Sequence, residues 1–92
     1  MPEKGDSMRV NQKEAFQWYE KTAKQGHADS KNSLGLYYQT GTGVEKDLKQ
    51  SFVWLREAAE QRNATAQTNL GLCYYNGTGV EKDLEVAFLC GL

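Results

Sequence analysis

Gly41-Thr42-Gly43-Val44-Glu45-Lys46-Asp47-Leu48 recurs unchanged as Gly77-Thr78-Gly79-Val80-Glu81-Lys82-Asp83-Leu84, 36 positions on. A repeat of that period signals stacked helical hairpins, each too small to bury its apolar face alone. Within the octapeptide, Gly41 and Gly43 give the backbone freedom to end one helix and turn. Asp47 is a favoured N-cap for the next helix, and Gln50 stands three positions on, as a capping box requires. Val44 is apolar in what should be a solvated turn, so it is expected to plug the gap between the joined helices.

The flanking residues follow the same plan. Before the connector, Ala28 to Thr40 reads as a helix with Ser30, Leu34 and Tyr38 on one face. Gly35 costs about 1 kcal/mol against alanine in a helix interior, which makes sense where a neighbouring helix passes too close for a side chain. Gly71 holds the matching position. After the connector, Ser51, Phe52, Trp54, Leu55, Ala58 and Ala59 form the buried stripe of a further helix. Ala64 to Asn76 repeats the first design with Ala66, Leu70, Gly71 and Tyr74, and Asp83 caps a final helix carrying Ala87, Phe88 and Leu89.

Upstream, Asn11 with Glu14 reads as an N-cap, followed by Ala15, Phe16, Trp18, Tyr19, Thr22 and Ala23 and closed by Gly26. Residues 1–10 read as a loop, a worn connector in which Gly5, Met8 and Asn11 replace Gly41, Val44 and Asp47. The expected fold is therefore all-α, five helices in the order B-A-B-A-B with the last truncated. Its units are an N-terminal loop (1–10), half a repeat (11–27), a complete repeat (28–63) and a shortened repeat (64–92). Only one copy is complete and about three stabilise a stack, so a segment of a longer array, or a chain pairing through its open ends, is expected.

Composition narrows the function. Eleven basic and 12 acidic residues give a net charge of −1, without the basic excess of a nucleic-acid binder. No apolar run approaches the ~20 residues that span a bilayer, and Met1 to Asp6 does not resemble a signal peptide. A cytoplasmic location and no membrane insertion are expected. Cys73 and Cys90 form neither a CxxC pair nor a disulfide framework. They read as reduced, buried apolar side chains.

The spacing small-x-x-x-Leu-Gly-x-x-Tyr-x-x-Gly-x-Gly-Val-x-x-Asp-x-x-x-Ala-x-x-Trp-x-x-x-Ala-Ala resembles the Sel-1-like repeat, a 36-residue relative of the tetratricopeptide repeat. It is carried by Ser30, Leu34, Gly35, Tyr38, Gly41, Gly43, Val44, Asp47, Ser51, Trp54, Ala58 and Ala59, and echoed from Ala66 to Ala87. Ser51 replaces an alanine of the motif, Thr22 the first alanine of the pair, and Cys90 the aromatic. The resemblance implies a right-handed α-α superhelix, or solenoid, of antiparallel hairpins. The A helices of such proteins line a concave surface that receives peptides or partner domains, and family members act as adaptors.

No chemistry competes with that reading. Gly41-Thr42-Gly43 lacks the preceding strand and the Gly-Lys-Ser/Thr of a phosphate loop. His27 is the single histidine, which leaves neither a metal set nor a nucleophile–base pair. No catalytic residue, metal or cofactor is expected. Trp18, Trp54, Phe16, Phe52 and Phe88 occupy matching B-helix positions without basic neighbours, and read as core rather than as a base-stacking platform.

The face that leans toward function lies about 200° from the core leucines. It comprises Asp29, Asn32, Leu36 and Gln39 on the first A helix, with Thr65, Thr68, Asn69, Leu72 and Tyr75 on the second. In the tetratricopeptide relatives this is the concave, partner-facing side. The competing reading packs Leu36 and Leu72 against the adjacent repeat. The expected activity is a non-catalytic scaffold for a protein or peptide. The alternative is a structural segment that self-associates or stacks through its exposed terminal helices.

Overall fold

The computed structural model describes residues 4–90, with side chains over 11–90. Five helices follow one another, and no strand occurs among the described residues. They are α1 (Lys4–Lys24), α2 (Ala28–Thr40), α3 (Leu48–Glu60), α4 (Ala64–Asn76) and α5 (Leu84–Leu89). Each packs on its sequence neighbours, which makes the chain a solenoid. Helices α2 and α4 are the A helices, and α1, α3 and α5 the B helices.

The two identical connectors adopt one geometry. Gly41 and Gly43 have φ of 72° and 70°, and Gly77 and Gly79 have 73° and 70°. These left-handed values suit glycine and strain an L-residue. The Gly41 N–H donates to the Tyr37 carbonyl at 2.8 Å, closing α2. The Asp47 carboxylate accepts from Gln50 N at 3.1 Å and that of Asp83 from Val86 N at 3.2 Å. The returning half of the capping box goes elsewhere. Asp47 N donates to the Tyr38 carbonyl at 2.9 Å, and Asp83 N to that of Tyr74 at 2.8 Å. This backbone bond fixes the start of each B helix against the last turn of its A helix.

The N-terminus departs from the sequence reading. Helix α1 already runs at Lys4 and passes through Asn11 without a break, so Asn11 is an exposed helical residue and not a cap. Of the expected loop, residues 4–10 are helical, and residues 1–3 lie outside the described ones. Both true connectors need a second left-handed glycine, and its counterpart here is Ser7. An L-residue disfavours that bend, so helix propagates instead.

Two clusters form the core. Phe16, Ala23 and Leu34 gather Tyr19, Tyr37, Tyr38, Val44 and Trp54 around them. One repeat later, Phe52, Leu55, Leu70 and Cys73 gather Ala59, Tyr74, Val80 and Cys90. Val44 and Val80 thus fill apolar space as expected. Gly35 allows α2 and α3 to touch, since a Cβ there would stand 2.6 Å from Leu55 Cγ. Ser51 is buried in the same seam with no hydrogen-bond partner for its hydroxyl.

Candidate functional site

The polar residues of the A-helix face divide into two groups. Asn63 Nδ2 donates to Asp29 Oδ1 at 2.6 Å, and Asn69 Nδ2 donates to Asn32 Oδ1 at 3.0 Å. Both bonds join α4, or its N-cap, to α2, and Asn32 is buried beneath them. Gln61 Nε2 adds a third tie to the Gly26 carbonyl at 2.8 Å. Asp29, Asn32 and Asn69 therefore set the register of one repeat on the next. The sequence reading missed Gln61 and Asn63. Their signal was the spacing, since each bonded pair is separated by close to one period.

The remaining face residues are free of such bonds. Thr65 and Thr68 are exposed, and Leu36 and Gln39 are half-buried. Leu72 and Tyr75 are 41% and 51% exposed. Together with Ala87 and Phe88 they line an open apolar recess of about 220 Å³. Leu36 is more covered than Leu72 because α4 follows α2, which is the effect the stacking alternative describes.

The aromatic B-helix positions also divide. Phe16 and Phe52 are each 8% exposed, but Phe88, at the matching position, is 70% exposed. The covering group is a tyrosine of the next A helix. Tyr38 sits edge-on to Phe16 at 5.4 Å and 87°, and Tyr74 to Phe52 at 5.5 Å and 86°. At the other end, Trp18 is 60% exposed where Trp54 is half-buried. Trp18 borders a shallow recess with Thr22, His27 and Ser30. The expectation that every B-helix aromatic is core holds inside the stack and fails at Trp18 and Phe88, because a residue facing along a solenoid is covered only by its neighbour.

His27 is exposed at the N-cap of α2, and its side chain makes no capping bond. Both cysteines are free thiols. Burial pushes the Cys73 thiol up to about 11, the direction opposite to that of a reactive cysteine. Burial likewise raises the Tyr37 and Tyr38 hydroxyls. Among the described residues no group of three histidines, cysteines or carboxylates is placed to hold a metal ion, and no helix is long and apolar enough to cross a membrane.

These hairpins, with their period and glycine connectors, correspond to a known family. The family model described as Sel1 repeat matches residues 1–27, 28–63 and 64–90. The chain belongs to the Sel1 repeat family. Among solved structures, a Sel1 repeat protein from Oxalobacter formigenes is 45% identical with a TM-score of 0.81, over 85% of this chain and 32% of that one. A protective antigen of uropathogenic Escherichia coli strains, displaying an SLR fold, is 41% identical with a TM-score of 0.84, over 85% of this chain and 17% of that one. This Sel1 chain thus spans less than a third of the first and less than a fifth of the second. No curated protein matches it.

Proposed function

We propose that this Sel1 segment is a non-catalytic interaction scaffold that holds a peptide or partner domain against the A helices. Sel1 repeats generally mediate protein interactions. The observation that carries the reading here is the row of unspent side chains on two helices held in fixed register. Asp29 and Asn32 lock α2 to Asn63 and Asn69, while Leu36, Gln39, Thr65, Thr68, Leu72 and Tyr75 make no bond that would occupy them. Apolar anchors ringed by hydroxyls and amides suit a peptide, whose side chains seek pockets and whose backbone seeks hydrogen bonds. The test is selection of binders from a random peptide library against the wild-type chain. Selected peptides should lose binding to the Leu36→Asp, Leu72→Asp double variant while its far-ultraviolet circular dichroism stays wild-type. Collapse of the helical signal in that variant would place the leucines in the core and remove the reading.

A second reading is favoured by the exposure of Phe88 and Trp18. In it the segment stacks end-on against further repeat units, and its role is to extend or join an array. Sedimentation velocity distinguishes self-association by this route: a monomer across micromolar concentrations excludes pairing of this chain with itself.

A further inference from the structure

Charge is unevenly distributed over the solenoid. Helices α2 and α4, 13 residues each, hold only two of the chain's 11 basic and 12 acidic residues, Asp29 and Lys31. Burial does not explain the shortage. On α4, Thr65, Gln67, Thr68, Leu72, Tyr75 and Asn76 are all exposed and none is charged. On α3, of the same length, fewer residues are exposed, yet Lys49, Arg56 and Glu60 are among them. Nor is the shortage a property of the last helices, since α2 packs on α1, α3 and α4 and shows the same restraint. Both charges of α2 are also spent. The Asp29 carboxylate accepts from Asn63 Nδ2, on the first turn of α2, where the helix N-terminus favours an acid. Lys31 Nζ meets Glu57 Oε1 of α3 at 3.4 Å, with its side chain 15% exposed.

What the A-helix face offers a ligand is therefore apolar groups, hydroxyls and amides. An ionised group laid on such a face leaves water and meets no counter-charge, which opposes binding. A hydroxyl, an amide or a peptide backbone exchanges its water for hydrogen bonds and loses little. We propose, on the basis of the groove reading, that this face selects an uncharged peptide segment of a partner protein. Its apolar side chains sit on Leu36 and Leu72, and its polar uncharged groups bond to Gln39, Thr65 and Thr68. Two properties of the interaction follow. Charged side chains are excluded from the anchor positions, so specificity comes partly from rejection of the wrong peptide. A terminal carboxylate is excluded with them, because the A helices' single cation, Lys31, is held by Glu57. Without electrostatic steering, affinity is also nearly independent of salt.

The probe is a random peptide library displayed on phage and selected on the full chain, with enriched peptides synthesised and titrated by fluorescence anisotropy. Anchor positions are those where alanine weakens binding most. Enriched peptides should lack Asp, Glu, Lys and Arg there, and their affinity should change less than about 2-fold between roughly 0.05 and 0.5 M salt. Replacing an anchor by Lys or by Asp should weaken binding at least ~10-fold with either sign. Thr68→Lys in the chain should reverse the preference. Selection on that variant should yield acidic peptides whose binding falls as salt rises, while its helical circular dichroism stays wild-type. Gln39→Lys, on the other A helix, is the parallel variant should Thr68→Lys not fold. Charged anchors selected by the wild-type chain, or an affinity that falls ~10-fold across that salt range, overturn the neutral occupant. If such peptides still lose binding to the Leu36→Asp, Leu72→Asp variant, the groove reading stands without it. No enrichment, or uncharged peptides that bind the double variant as well as the wild type, overturns both. Binding of a neutral oligosaccharide panel at this face in place of any peptide overturns the peptide assignment.

Discussion

Replacing Gly77 and Gly79 separately by alanine isolates the contact that stacks one repeat on the next. The two glycines share a backbone conformation, with φ of 73° and 70°, so alanine incurs the same left-handed cost at either, about 1–2 kcal/mol. Their surroundings differ. A Cβ at position 77 would stand 3.6 Å from Lys82 Cβ, an ordinary contact. A Cβ at position 79 would run into the Leu48 carbonyl oxygen and stand 2.7 Å from its carbon and 3.0 Å from Phe52 Cβ. The Leu48 carbonyl belongs to α3 and cannot rotate aside, so α3 and the connector must part. That disturbs the seat of Tyr74 on Phe52, and overpacking of this kind costs about 1–3 kcal/mol. Gly77→Ala should therefore lose about 1–2 kcal/mol and Gly79→Ala about 2–5 kcal/mol. Urea denaturation followed by circular dichroism measures both, with the m-value checking that the unfolding unit is unchanged. Equal losses, or a larger loss at Gly77, would refute the claim that the second glycine is a packing requirement.

The two A-helix entrances invite complementary repairs. His27 and Asn63 have the same N-cap backbone, yet only Asn63 makes a capping bond, to Ala66 N at 2.8 Å. His27→Asn should stabilise the chain by about 1 kcal/mol in thermal or urea unfolding. Conversely, Arg62 holds φ of 67° where the first junction has Gly26, so Arg62→Gly should gain on the order of 1 kcal/mol by the same assay. Cys73, pushed up to about 11 by burial, should react with Ellman's reagent at pH 8 far more slowly than Cys90 until denaturant is added. The sign for stability follows from linkage. The fold holds this thiol protonated, a contribution fully present below its ordinary value of 9.0 and lost as pH rises from there toward about 11. Urea midpoints should fall across that window, with the half-buried hydroxyls of Tyr37 and Tyr38, also raised, acting in the same direction, and Cys73→Ala should flatten the fall.

Local patterns were legible wherever one chemical feature forces one conformation. Gly41 and Gly77 end their helices, Asp47 and Asp83 cap the next, and Gly35 marks a close helix crossing; each follows from backbone sterics or a single hydrogen bond. The N-terminus was misread because Gly5 and Asn11 match a connector in residue type, whereas the bend needs a second glycine that Ser7 does not supply. The candidate face was harder to read. Asn32 and Thr68 occupy the same repeat position, yet one is buried against Asn69 and the other exposed.

The sequence by itself determined the period, the helices from Ala28 onward, their order and the conformation of both connectors, since these depend on neighbours within a few residues. Only tertiary structure decided which chemically equivalent side chains are covered. Phe52 and Phe88 have the same place in their repeats and opposite exposures, because in a solenoid the burial of a stacking residue is conferred by the next unit in line and not by its own.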